Sequence, residues 1–190
     1  MCGRYYIAEE DSAAELQEII EQLNRRGTEV KTGEIYPTDT VPVLANNKSM
    51  VITPFAMKWG FTLPDGKQII NARSETAADK PLFRDGMLQR RCLIPATNYF
   101  EWEKRGRDRI KYAIRESDSP ILYMAGIYRI ENGKPAFSIL TREPAENIAF
   151  IHNRMPVILH LEAKNDWLNV RYAAGDVLKA TSFEVSFHTV

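Results

Sequence analysis

Between residues 13 and 23 the apolar side chains fall three and four positions apart: Ala13, Leu16, Ile19, Ile20 and Leu23 share one face. That period is the mark of an amphipathic helix, and it predicts one over residues 9–26. Acids crowd its first turns, Arg25 and Arg26 close its last, and Gly27 follows as a stop. Beyond Pro37 the pattern changes. Short runs at 41–45 and 50–61 read as strands. Ser74 is placed to cap a short helix at 75–79 that Pro81 interrupts, and a second short helix fits 82–89. From residue 91 onward RCLIP, NYFEWEK, RIKYAIR, ILYMAGIYRI and AFSILTR follow at short spacing as strands, with turns at KRGRDR (104–109) and ENGK (131–134). A short helix at 143–150, a buried strand MPVIL (155–159), helices at 161–170 and 175–180, and a closing strand FEVSFHTV complete the pattern. Many short strands with scattered helices predict an α+β fold: a curved or barrel-like, mostly antiparallel sheet with surrounding helices, forming a single domain over 1–190.

The composition fits that picture. The chain has 190 residues, of which 44% are apolar and 26% charged. A chain of this size buries roughly 70% of the surface it exposes when unfolded, enough for a core without staples. The 25 basic residues balance 25 acidic ones, which excludes a uniformly basic nucleic-acid binder. The balance is uneven along the chain. Residues 9–21 carry six acids and no base, whereas 84–115 carry nine bases against four acids. That basic stretch reads either as a solvated hairpin tip or as a phosphate-binding surface. Two cysteines, Cys2 and Cys92, make no disulfide framework. There is no C-x-x-C, and His152, His160 and His188 lack a zinc-site spacing, so neither metal nor other cofactor is expected. The N-terminus has no apolar h-region, and no apolar run approaches the ~20 residues that span a membrane. A soluble, reduced, cytoplasmic protein without membrane partners is expected.

Chemistry enters at Cys2. The start Met-Cys-Gly suits removal of Met1 by an aminopeptidase, which exposes a primary amine and a thiol on adjacent carbons. An α-amine has a pKa of about 7.7–8.0 and a thiol one near 8.5, so both are partly reactive near neutrality. Such a 1,2-aminothiol captures aldehydes: the amine forms a Schiff base and the sulfur closes a thiazolidine. The bland alternative is a chance cysteine on a frayed terminus. Three further segments bear on the choice: INARSET (70–76), NYFEWEK (98–104) and FIHNRMPVIL (150–159). Taken singly, Asn71 reads as a turn residue, Glu101 as a strand-edge charge and His152 as a core histidine.

Met-Cys-Gly-Arg, then Trp59-Gly60, INAR-x-ET, F-E-W and H-x-R-M-P, in that order, resemble the SOS response-associated peptidase (SRAP) family over residues 2–188. The chain departs from the family at GEIYP, where Glu34 stands in place of the usual asparagine. The resemblance implies covalent capture of abasic sites in single-stranded DNA. It gives Cys2 the amine and thiol, Glu101 proton transfer beside the amine, and His152 protonation of the ring oxygen. Asn71 would orient the terminal amine or the sugar, and Thr141 would add a hydroxyl contact. Arg4, Arg73 and Arg154 become phosphate clamps, with Lys80 and Arg84 as weaker candidates. Trp59 and Phe83 either stack on flanking bases or pack in the core. Tyr5, Tyr6, Trp102, Trp167, Cys92, His160 and His188 are left to packing or structure.

The implied partner is single-stranded DNA containing abasic sites, bound by a monomer that associates with the nucleoid. β-Elimination from the Schiff base makes lyase activity a plausible side reaction. Two other classes remain open. One is a cysteine peptidase acting on its own N-terminus through Cys2 and His152. The other is a non-covalent single-strand binder, salt-sensitive and indifferent to the lesion.

Overall fold

The computed structural model describes residues 2–8, 13–160, 162–181 and 184–190. The first half holds strands β1 (Tyr5–Ile7), β2 (Gly33–Ile35), β3 (Thr40–Asn46), β4 (Ile52–Trp59), β5 (Phe61–Thr62), β6 (Gln68–Ile69) and β7 (Asn71–Arg73). The second holds β8 (Arg91–Ala96), β9 (Asn98–Arg105), β10 (Asp108–Glu116), β11 (Leu122–Glu131), β12 (Lys134–Arg142), β13 (Met155–Pro156) and β14 (Val185–Thr189). The helices are α1 (Ala14–Asn24), α2 (Pro81–Gln89), α3 (Ala163–Leu168) and α4 (Ala174–Val177). No helix among the described residues is long and apolar enough to cross a membrane.

Five strands close into a barrel in the order β11-β8-β3-β4-β12, with β12 returning to β11. Every contact in that ring is antiparallel except β4 with β12, which is parallel. The barrel strands are covered on both faces: consecutive residues Leu93 and Ile94 of β8 are buried, as are Met57, Trp59 and Phe137. β7 adds to β12 in parallel, and β13 adds to its far end. A second, five-stranded sheet runs β14-β10-β9-β1-β2. The chain passes from barrel to outer sheet at Thr97, between β8 and β9, where the Thr97 N–H donates to Tyr6 O at 2.8 Å and its hydroxyl accepts from Ala8 N–H at 3.0 Å. Closing the ring leaves the barrel no free edge, and the seam between the two sheets becomes the place where polar groups can be buried.

The helical face predicted at the N-terminus is present: Leu16, Ile19, Ile20 and Leu23 are buried on α1. Residues 9–12 of that prediction lie outside the described residues. Gly27 ends the helix with φ +69°, a left-handed geometry that glycine adopts without strain. It lets Gly27 and Thr28 N–H groups return to Asn24 and Leu23 carbonyls at 2.9 and 3.1 Å. The ENGK turn also forms, with Asn132 and Gly133 at φ 50° and 78° joining β11 to β12. Three expectations need correction. Residues 75–79 are turns, and Pro81 opens α2 rather than ending a helix; at a first helical position its missing N–H has no partner to lose. The helix expected at 143–150 is one 3₁₀ turn at Glu146–Ile148. MPVIL is buried throughout, but only Met155–Pro156 is strand; Ile158 and Leu159 make isolated bridges to Met124 and Thr181. Of the late helices, α3 and α4 form, a 3₁₀ turn follows at Leu178–Ala180, and residue 161 lies outside the described residues.

Candidate active site

Cys2 precedes β1 and is fully buried. The antiparallel ladder of β1 with β9 sets Tyr5 opposite Tyr99 and Tyr6 opposite Asn98. It runs one step further, where Phe100 N–H donates to Arg4 O at 2.8 Å. The N-terminal residues therefore track residues 100–102, which draws Cys2 toward Glu101. Burial, and then the charge of Glu101, push the Cys2 thiol well above its ordinary range. Its sulfur lies 3.8 Å from Arg4 O.

Asn71 reaches the same point from the barrel. On β7 it stands opposite Ile139 of β12, and its Nδ2 donates to Cys2 O at 2.8 Å. Its Oδ1 is buried and has no hydrogen-bond partner among the described residues. One half of the amide holds Cys2, and the other half is an unused acceptor, which a buried amide rarely tolerates without a functional reason.

Glu101 is 4% exposed. Burial raises its pKa. His152 comes from the loop before β13. Its Nδ1 accepts the Arg154 N–H at 3.1 Å, so the neutral ring carries its proton on Nε2. The seam thus gathers a thiol, a carboxyl biased toward its protonated form, an imidazole of defined tautomer and an amide with a free acceptor. That combination can move protons onto and off a reacting carbonyl.

The arginines are less free than expected. Arg154 makes a two-pronged pair with Glu75, both contacts at 2.8 Å, and its Nη2 also donates to Thr141 O at 2.6 Å. Thr141 is fully buried; its hydroxyl donates to Ala72 O at 3.4 Å and lies 3.4 Å from Arg154 Nη2. Arg4 pairs with Glu34 at 2.9 Å. Arg73 is exposed and makes no ion pair among the described residues. Arg84 is exposed and donates to the carbonyls of Ala78 and Asp79.

The stacking expectation is corrected for both aromatics. Trp59 is completely buried, lies parallel to Phe137 and donates from Nε1 to Ile70 O at 3.1 Å. Phe83 packs on Phe61 inside α2's apolar face. Neither presents a ring to solvent. The basic stretch is also no single surface: Arg91 is buried, Arg90, Arg105 and Lys111 pair with Asp85, Glu103 and Glu34, Lys104, Arg107 and Arg109 sit at the 104–109 tip, and Arg84 and Arg115 lie away from it on α2 and β10.

Some contacts escaped the sequence reading. Glu34 binds both Arg4 and Lys111, the latter at 2.8 Å, and each lowers its pKa. The Arg4 guanidinium lies 3.7 Å from the Tyr36 ring centroid and 5.6 Å from that of Trp102. Glu34, Tyr36 and Trp102 together form a cradle for the Arg4 cation. Among the described residues Tyr5 and Tyr99 bury hydroxyls without hydrogen-bond partners, and burial pushes the pKa of each up. Only their cross-strand pairing, invisible before β1 and β9 are aligned, could have pointed to them.

Solved structures share this architecture. A Bacteroides thetaiotaomicron protein superposes with a TM-score of 0.75 at 24% identity, covering 100% of this chain and 92% of that one. A Bordetella bronchiseptica protein gives 0.77 at 21% identity, covering 100% and 99%. Among sequence relatives, abasic site processing protein YoqW of Bacillus subtilis is 32% identical over 197 residues, covering 95% of this chain and 85% of the relative. Abasic site processing protein YedK of Escherichia coli is 30% identical over 178 residues, covering 88% and 79%. The model of the family described as SOS response associated peptidase (SRAP) matches residues 1–189, and the chain belongs to that family.

Proposed function

We propose that this chain processes abasic sites in single-stranded DNA by capturing their aldehyde covalently on Cys2. In the translated chain the Cys2 nitrogen is an amide; removal of Met1 frees it as an amine. The amine adds to C1′ of the open-chain sugar, and the carbinolamine loses water to give a Schiff base. Glu101, which burial biases toward its protonated form, donates a proton to the departing hydroxyl. The Cys2 sulfur then adds to the imine carbon, its proton passes to the nitrogen, and a thiazolidine closes. The net change is loss of one water. His152 Nε2–H donates a hydrogen bond to the ring oxygen as the sugar opens, and the proton leaving the anomeric hydroxyl ends on that oxygen. The free Asn71 Oδ1 accepts from the amine or a sugar hydroxyl.

The observation that carries this reading is the Asn71 hydrogen bond to Cys2 O, which fixes the second residue of the chain against a buried Glu101. The names of the relatives agree with it. A thiol raised by burial is a poor thiolate nucleophile, which weighs against a Cys2–His152 peptidase. It suits an amine-first mechanism in which sulfur acts second. β-Elimination from the Schiff base would make strand cleavage a minor product. The test is incubation of the Met1-free protein with an abasic single-stranded oligonucleotide, followed by a denaturing gel. Wild type should give a shifted band and Cys2→Ala none. No band with wild type, or an equal band with Cys2→Ala, overturns the reading.

A further inference from the structure

Cross-strand register places an aromatic cluster next to the proposed site. Tyr112 of β10 stands directly opposite Glu101 of β9, so both side chains leave the same face of the outer sheet. Phe187 of β14 stands opposite Ile114 and is the diagonal neighbour of Tyr112 on that face. Phe150 arrives from the loop that carries His152, two residues further on. Its ring lies 5.8 Å from Tyr112 and 5.5 Å from Phe187, and Tyr112 and Phe187 are 5.8 Å apart. Interplanar angles of 89°, 72° and 65° make all three contacts edge to face.

The cluster is fixed rather than collapsed. Tyr112 is its floor, 6% exposed, with its hydroxyl donating to Glu103 at 2.9 Å. Asn147 Nδ2 donates to Val185 O at 2.7 Å and ties the His152 loop to β14. Yet Phe150 is 52% exposed and Phe187 37%. Two phenylalanines held open in water against a buried tyrosine, beside a carboxyl and an imidazole, have an apolar and planar partner to find.

We propose that Tyr112, Phe150 and Phe187 form a stacking subsite for an unpaired nucleobase adjacent to the captured sugar. The proposal rests on the abasic-site reading above. A base next to an abasic sugar has lost one stacking neighbour, and a sugar drawn into the seam costs it more. Phe150 is two residues from His152, at most about 7 Å along the chain, which is one nucleotide's reach. Stacking on aromatic faces accepts any base, as capture of a lesion in any sequence requires. Trp59 and Phe83 are buried and cannot serve.

The test uses the whole protein and oligonucleotides carrying a tetrahydrofuran abasic analogue, which cannot react with Cys2, with 5-iodouracil on one side or the other. Irradiation and peptide mapping should place the photo-adduct on Phe150, Phe187 or Tyr112. With true abasic oligonucleotides, Phe150→Ala should raise the concentration for half-maximal adduct formation about tenfold with a smaller change at saturation, and Phe150→Trp should restore it. Phe150 is half exposed, so the variant's melting temperature should stay near wild type. Photo-adducts only elsewhere, or an unchanged concentration dependence in Phe150→Ala, overturn the subsite and point to a protein partner for this face. If wild type forms no adduct with a true abasic site, the Cys2 reading fails instead; the inert analogue reports on stacking independently.

Discussion

Arg91 and Glu101 are buried to the same 4% exposure, one at the foot of the barrel and one in the seam, and they are answered in opposite ways. Arg91 donates from Nε to Met87 O at 2.8 Å and from Nη1 to Trp167 O at 3.4 Å, with its guanidinium carbon 5.1 Å from the Trp167 ring centroid. Those carbonyls belong to the last turns of α2 and α3, where the helix dipoles favour a cation. The charge is absorbed by scaffold. Glu101 instead lies near Cys2 and His152, the groups that the proposed reaction would use, and both its pKa and that of Cys2 are raised by burial. A buried charge whose partners are helix ends is architecture. One whose neighbours are a nucleophile and a proton carrier is chemistry.

That contrast can be broken at either end. The largest effect is expected at Glu101: Glu101→Gln should slow adduct formation by about 10²–10⁴-fold while leaving non-covalent binding near wild type, read by timed gel assays and a binding titration. An unchanged rate would move Glu101 to the structural side. Arg91→Met should behave the other way. It orphans carbonyls at two helix ends and should lower stability by about 2–4 kcal/mol in denaturant melts, with adduct formation by the folded fraction unchanged.

Next in size is the pH dependence of stability. A carboxyl whose folded pKa lies above its unfolded value binds its proton more tightly when folded. Its contribution therefore favours folding at low pH and declines as pH rises from the unfolded value of about 4.3 through the folded one. Glu101→Gln should then melt a few degrees higher than wild type at pH 7, with the gap closing toward pH 4. A constant gap contradicts the raised pKa. The smallest effect belongs to the Arg4 cradle. Glu34→Gln frees Arg4 and Lys111 and should tighten binding of single-stranded DNA by about threefold at low salt, a gain that fades as salt rises.

Local pattern made some of this visible in advance. The α1 face needs only a 3.6-residue period, and β8 to β12 need only alternation and short turns. Cys2 offered an amine beside a thiol, but Asn71, Glu101 and His152 each had a bland reading taken singly; they became candidates only because their motifs, in order, resemble the SRAP family. What stayed hidden depends on closure. The parallel β4–β12 contact completes the barrel across a long sequence separation, and it turns Trp59 from a candidate base-stacker into core. Glu34 meets Lys111, and Glu75 meets Arg154, over separations of 77 and 79 residues, so no local pattern warns that the clamps carry acids. Pro81 was misread because a proline that ends one helix and one that begins the next look alike until the helix is located.

The central claim concerns Cys2, and the mass of its product tests it most directly. Met1-free protein incubated with an abasic single-stranded oligonucleotide should yield a species whose intact mass equals the sum of both components less one water, with the linkage mapped to Cys2. A mass that keeps the water, a linkage on another residue, or an equally abundant adduct on protein that retains Met1 would contradict it.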